Sequence, residues 1–174
     1  MERLNWSERL VEIPDNGLEK LRVAKADECL AVAKSLGVSS CDKLSCSYVI
    51  RPILGDRFEV TGSITATVVQ PCIVTLDPVA QKLRDDLAVE FWHDVKIDSL
   101  AEEFDEPERE DPEPIVDGTL EIGRVVYELI AANLDPYPRA DGAELERDSS
   151  EADAAGANHP FAALSELKQD ISDN

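Results

Sequence analysis

The chain has 174 residues, 43% of them hydrophobic and 31% charged, which is enough for one core of ordinary domain size and too little for two comfortable ones. Its 17 Lys and Arg against 37 Asp and Glu leave a formal charge of −20, which disfavours broad, direct binding of RNA or DNA, because gripping phosphates takes a cationic surplus. No stretch reaches the roughly 18 apolar residues of a membrane span, and residues 1–17 have neither the apolar centre of a signal peptide nor the basic bias of a transit peptide, so the expected compartment is the cytoplasm.

In chain order, residues 9–13 and 18–25 read as short strands around Pro14-Asp15-Asn16-Gly17, a cluster that tolerates the positive φ of hairpin turns, and a leading hairpin is expected. Asp27 is placed to cap a helix through residue 35 or 36, with Leu30, Ala33 and Leu36 on one stripe and Gly37 closing it in the left-handed conformation. From Leu44 the period changes to two. Leu44, Cys46, Tyr48 and Ile50 point one way, residues 52–57 with Gly55 and Asp56 make a connection, and Phe58, Val60, Ile64, Ala66 and Val68 alternate with polar residues as the clearest half-buried strand. Gly62 interrupts that apolar face, which implies a bulge or a close backbone approach.

Asp77-Pro78 ends the next segment, and Leu87, Val89 and Phe91 alternate as a further strand closed by Trp92 and His93. Ile122, Val125, Val126, Leu129, Ile130 and Leu134 form the wide stripe of an amphipathic helix, which Asp135-Pro136-Tyr137-Pro138 terminates. Residues 158–160 can start a short helix carrying Phe161, Leu164, Leu167 and Ile171, docked either on the chain's own core or in a partner's groove. The expected class is α+β: an antiparallel, strongly coiled sheet or partial barrel with two main helices and a short C-terminal helix. Residues 1–140 form the domain, and residues 141–174 an acidic, largely disordered tail ending in the docking helix.

Acid is concentrated along this chain. Residues 102–117 carry nine acidic side chains against one basic, and residues 141–174 nine against two. The first run holds Pro107, Pro112 and Pro114 with few large apolar groups, so burial cannot offset ordering entropy and a mobile loop is expected. Such a run either merely solvates the surface or docks a cationic partner. The candidate partner-facing residues are Glu102, Glu103, Asp105, Glu106, Glu108, Glu110, Asp111 and Glu113, with Asp135, Tyr137 and Arg139 as a second patch. The Tyr137 ring either packs back on the core or meets a partner.

Bond-making chemistry finds little support. Cys29, Cys41, Cys46 and Cys72 are 12, 5 and 26 positions apart, which is no paired-thiol zinc pattern, and they read as reduced, mostly buried thiols. His93 beside Asp94 and His159 near the tail lack a nucleophile or orienting partner, and no glycine-rich phosphate loop or nucleophile elbow is present. Three prolines and no turn glycine spoil the acidic run as a calcium loop. No catalytic residue, cofactor or metal is expected.

Two stretches carry a likeness: residues 68–79 (VVQPCIVTLDPV) and 111–139 (DPEPIVDGTLEIGRVVYELIAANLDPYPR). With the strand at 58–62 and the tail string NHPFAALSELK at 158–168, the chain resembles the YceD family of large ribosomal RNA subunit accumulation proteins, in its alphaproteobacterial form. The resemblance implies a small, cytoplasmic, non-enzymatic factor supporting large-subunit rRNA accumulation and ribosome assembly. Its expected partner is a basic ribosomal protein or a pre-ribosomal particle, with no membrane and no small-molecule substrate. Direct rRNA binding is the alternative, through the near-neutral body with Arg51, Arg57, Lys82 and Arg84. Three departures from the family pattern stand out. Cys72-Ile73-Val74-Thr75 replaces the Cys-x-x-Cys of many members, Glu121 stands where relatives tend to have Asp, and His159 lengthens the usual Asn-Pro-Phe string.

Overall fold

The computed structural model of the chain describes residues 4–93 and 112–144. In order these form β1 (Glu8–Arg9), a single 3-10 turn (Leu10–Glu12), β2 (Leu18–Val23), α1 (Ala26–Leu36), β3 (Ser40–Ile53), β4 (Arg57–Pro71), β5 (Pro78–Trp92), β6 (Glu113–Pro114), β7 (Thr119–Leu120) and α2 (Ile122–Ala132). The class is α+β. Five strands run in the order β2-β3-β4-β5-β6, antiparallel except for the parallel β5–β6 pair, and β1 pairs with β7 in a separate two-stranded sheet. Residues Met1–Asp141 belong to one unit; of the second, Gly142–Asn174, only residues 142–144 are described. The expected C-terminal helix lies outside the described residues.

The period-two reading of β3 and β4 holds residue by residue. Leu44, Cys46, Tyr48, Ile50, Val60, Ile64, Ala66 and Val68 are all buried, and they share one core with Val32 and Ala33 of α1 and with Ile122, Val126 and Ile130 of α2. Gly62 is a close approach and not a bulge: the register passes through Tyr48↔Gly62 without a shift. A Cβ on Gly62 would lie 2.1 Å from the Ser47 carbonyl oxygen and 2.8 Å from the Tyr48 Cα. The irregularity falls instead between Asp42 and Ser45, where Lys43 has φ +52°.

The N-terminal hairpin does not form. Pro14 to Gly17 does turn, with the Gly17 N–H donating to the Pro14 carbonyl, but β1 pairs with β7 and β2 with β3. The reason is Glu8, 2% exposed, whose carboxylate accepts from Lys20 Nζ at 2.7 Å, Arg22 Nη2 at 2.7 Å and Tyr48 Oη at 2.6 Å. A buried carboxylate must be paired. The cations of β2 meet it through side chains, which leaves the β1 backbone to another strand.

Three further expectations change. Asp27 is not the cap of α1: it lies in the first turn, and Glu28 Oε2 reaches back to the Lys25 N–H at 2.8 Å. Gly37 closes the helix with φ +70° as the sequence implies, but Leu30 is 72% exposed and Val32 takes its place in the core. β5 begins at Pro78, nine residues before Leu87, because the polar Gln81 and Asp85 that hide its alternation bond the end of α2. Residues 112–117 are not part of a loose loop. Glu113 and Pro114 extend the sheet opposite Phe91 and Trp92, and Ile115 N–H donates to the Trp92 carbonyl at 2.9 Å.

Candidate partner-binding site

The sequence candidates Glu102, Glu103, Asp105, Glu106, Glu108, Glu110 and Asp111 lie outside the described residues. Glu113, where that run enters β6, is half-buried and paired, its Oε2 3.1 Å from Arg124 Nη2. The same guanidinium donates from Nε to Glu128 Oε1 at 2.9 Å. Burial pushes the Glu113 carboxyl above its ordinary value; Arg124 opposes the rise, and Glu128 and Glu121 add to it. One cation therefore serves several carboxylates, and the local field is negative.

Asp135, Tyr137 and Arg139 are exposed, and Tyr137, 71% exposed, does not return to the core. Pro138 does so in its place. The segment is held through its backbone: Gln70 Nε2 donates to the Asp135 carbonyl at 3.0 Å, and the Asp135 N–H donates to Gln81 Oε1 at 3.2 Å. Just before it, Asn133 Nδ2 donates to Asp85 Oδ2 at 2.6 Å and to the Leu129 carbonyl at 2.9 Å, closing the helix that the prolines cannot continue. Gln70, Gln81 and Asp85 are thus the price of a fixed helix end, and their signal in the sequence is the polar break in an otherwise apolar alternation.

Beside this clamp the β4–β5 turn winds around Cys72. Its sulfur accepts from the N–H groups of Val74 and Thr75 at 3.4 Å and of Ala140 at 3.3 Å, while Ile73 N–H donates to the Pro138 carbonyl at 2.9 Å. Leu76 completes the turn with φ +64°. The Thr75 hydroxyl and then these amides bring the Cys72 thiol down to about 6. Burial drives Cys41 and Cys46 the other way, to about 11. All four cysteines are free thiols. The Cys72 turn ties the Asp135 patch to the sheet, a role that a Cys-x-x-Thr string does not announce.

The four cations of the alternative reading do not converge. Arg51 lies 3.9 Å from Glu59, and the Arg57 guanidinium stacks 3.7 Å over the Trp92 ring. Lys82 and Arg84 project from the middle of β5, opposite Thr67 and Thr65, about 20 to 27 Å along the sheet from the Arg51 row at the usual rise per residue. His93 is exposed where β5 ends, and its neighbour Asp94 is outside the described residues. Among the described residues no three His, Cys, Asp or Glu side chains gather to hold a metal ion, and no helix is long and apolar enough to cross a membrane.

A family model described as Large ribosomal RNA subunit accumulation protein YceD matches residues 60–168. The match takes in β4, β5, β6, β7 and α2, the acidic run and most of the tail. No curated protein and no solved structure matches the chain.

Proposed function

The chain belongs to the YceD family of large ribosomal RNA subunit accumulation proteins, and from that membership we propose that it is a non-enzymatic cytoplasmic factor of ribosome assembly that acts by binding a basic ribosomal protein. The observation that carries this reading is the electrostatics around β6. The acidic run leads in sequence into Glu113, whose carboxyl burial raises above its ordinary value; Arg124 opposes the rise, and Glu128 and Glu121 add to it. Glu113 and Glu128 share the single guanidinium of Arg124, so a further cation offered there meets carboxylates that outnumber it. Unassembled ribosomal proteins are strongly cationic and fit that need; a phosphate backbone would add to the repulsion.

The test is capture from lysate on the full-length protein at low and high salt. A ribosomal protein or pre-ribosomal particle retained at low salt and released at high salt is the expected result, and a low-salt eluate free of ribosomal components would sink the proposal. Replacement of His93 by Ala should restore large-subunit rRNA levels in depleted cells as well as the unaltered chain does. A loss of complementation would point to acid-base chemistry. One observation favours direct rRNA contact as a second reading: Lys82 and Arg84 lie two residues apart on the Ser- and Thr-rich face of the sheet, with no ion pair among the described residues. Equilibrium binding of rRNA fragments at moderate salt, weakened by Lys82→Glu with Arg84→Glu, would support it.

A further inference from the structure

β6 lies at one end of β5, opposite Phe91 and Trp92. At the other end the β4–β5 turn meets the segment that follows α2, and the two together set apolar side chains in water. Ile73 is 46% exposed, Leu76 76% and Tyr137 71%, with Pro71, Pro78 and Pro136 exposed around them. The backbone beneath is fixed. Ile73 N–H donates to the Pro138 carbonyl at 2.9 Å and Leu76 N–H to the Cys72 carbonyl at 3.0 Å. Tyr137 N–H donates to Asp135 Oδ1 at 2.9 Å, and the residue stands between two prolines that lock their own φ. Pro138 is buried, which explains why the segment returns to the sheet. It does not explain an aromatic ring held in water one residue earlier.

An exposed apolar patch on a fixed backbone is suited to binding, because a rigid tyrosine buries a large area at little further entropic cost. The charges around the patch select its occupant. Asp77, Asp135 and Asp141 are exposed, Arg139 is the cation among them, and none of the four makes an ion pair among the described residues. Two other exposed apolar pairs show the opposite balance. Ile53 and Leu54 have Arg51, Asp56 and Arg57 beside them in the chain, and Leu21 and Val23 have Glu19, Lys20 and Arg22. Over the whole chain the formal charge is −20, so a second copy is repelled from the patch and a cationic partner is drawn to it.

We propose that Ile73, Leu76 and Tyr137 dock an apolar, Lys- or Arg-bearing segment of a partner protein, whose cations meet Asp77, Asp135 and Asp141. The inference rests on the reading of the protein as a binder of basic proteins and names the surface that does it. The Cys72 turn and the bonds from Gln70 and to Gln81 then do more than fix the end of α2: they hold Tyr137 ready for its partner.

The experiment uses the full-length protein and two capped seven-residue peptides of equal charge as probes, one alternating Leu and Lys and one alternating Ser and Lys. Binding is read by titration at low salt. The Leu-Lys peptide should bind at least about tenfold more tightly than the Ser-Lys peptide, and Tyr137→Ser with Leu76→Asn should remove that advantage. Both side chains are already exposed, so this variant keeps a near-native Tm, and asparagine accepts the positive φ of residue 76. Asp77→Asn with Asp141→Asn should weaken Leu-Lys binding about threefold at low salt and hardly at all at high salt. Equal binding of the two peptides, or Leu-Lys binding unchanged by Tyr137→Ser with Leu76→Asn, overturns the proposal. So does slow acetylation of Tyr137 by N-acetylimidazole in the free protein, which means another part of the chain covers the ring, or a dimer that the same variant splits, which means a second copy does. Lysate capture separates the two claims: ribosomal proteins retained equally by Tyr137→Ser with Leu76→Asn leave the function standing and remove the surface. Leu-Lys binding lost in that variant, with no ribosomal component captured by the native chain, does the reverse.

Discussion

Replacement of Glu8 by Gln tests the contact that overrode the N-terminal hairpin. The amide keeps the shape of the side chain and removes its charge. Three bonds change: those from Lys20 and Arg22 at 2.7 Å and from Tyr48 at 2.6 Å. A bond to a charged group contributes about 1.5 to 3 kcal/mol when both partners are buried. The Lys20 and Arg22 side chains are 34% and 32% exposed, so water recovers part of their loss and about 1 kcal/mol each is the better figure. With a weakened Tyr48 bond, the total is about 2 to 3 kcal/mol, or roughly 5 to 10 °C in Tm for a chain of this size.

The pH dependence follows from the shift on Glu8. Burial raises its carboxyl, and the hydrogen bonds of Lys20, Tyr48 and Arg22 more than offset that, so the folded value lies below the ordinary 4.5. A lowered folded value means the stabilisation is complete above 4.5 and disappears as pH falls through the folded value. Urea unfolding followed by tryptophan fluorescence, from pH 7 down to pH 3, should show a gap between the native chain and Glu8→Gln that is full at pH 7 and closes in acid. An unchanged midpoint at pH 7, or a gap that widens as the pH falls below 4.5, would refute the reasoning. An unchanged midpoint would mean that Lys20 and Arg22 are satisfied by water and that β1 is held by its two-residue pairing with β7 alone.

Gly62→Ala drives a methyl into the Ser47 carbonyl of a register without slack, and should cost about 3 kcal/mol or more by thermal unfolding; near-native stability would show that β3 and β4 can part at no cost. Asn133→Ala removes the side-chain donor to Asp85 and to the Leu129 carbonyl, leaving the backbone bonds of residue 133 in place, for an expected loss of about 1 to 2 kcal/mol and faster amide exchange from Leu129 onward. Exchange that stays native would place the helix stop in the prolines alone. Cys72→Ser removes a thiol whose folded value is about 6 against an ordinary 9. Its stabilisation is therefore complete above pH 9 and lost as pH falls through 6. The stability gap to the native chain should widen steadily from pH 6 to pH 9, and a gap independent of pH would show that the sulfur binds those amides as a thiol.

Strong local periodicity made β3, β4 and α2 legible, because each buries one nearly unbroken apolar face, from which only the Tyr48 hydroxyl in β3 and Gly62 in β4 depart. Leu44 to Ile50 and Ile122 to Ile130 state their inward faces without help from the rest of the chain. Gly37 and the Asp135-Pro136 stop were legible for a similar reason, since left-handed φ and a missing amide donor act within one turn. The order of segments that marks the family is also a property of the string itself. Pairings between residues far apart in sequence were not written there. Glu8 looks like a surface acid until Lys20, Arg22 and Tyr48 close around it. Gln81 and Asp85 look like the end of a strand until Asn133 meets them. Cys72 looks like an ordinary buried thiol until Ala140, 68 residues later, adds its amide. In each case the desolvation of a polar group is offset by a partner that only the folded chain supplies, so composition and periodicity determined the main strands and helices, and tertiary contact decided which strands pair and where α2 ends.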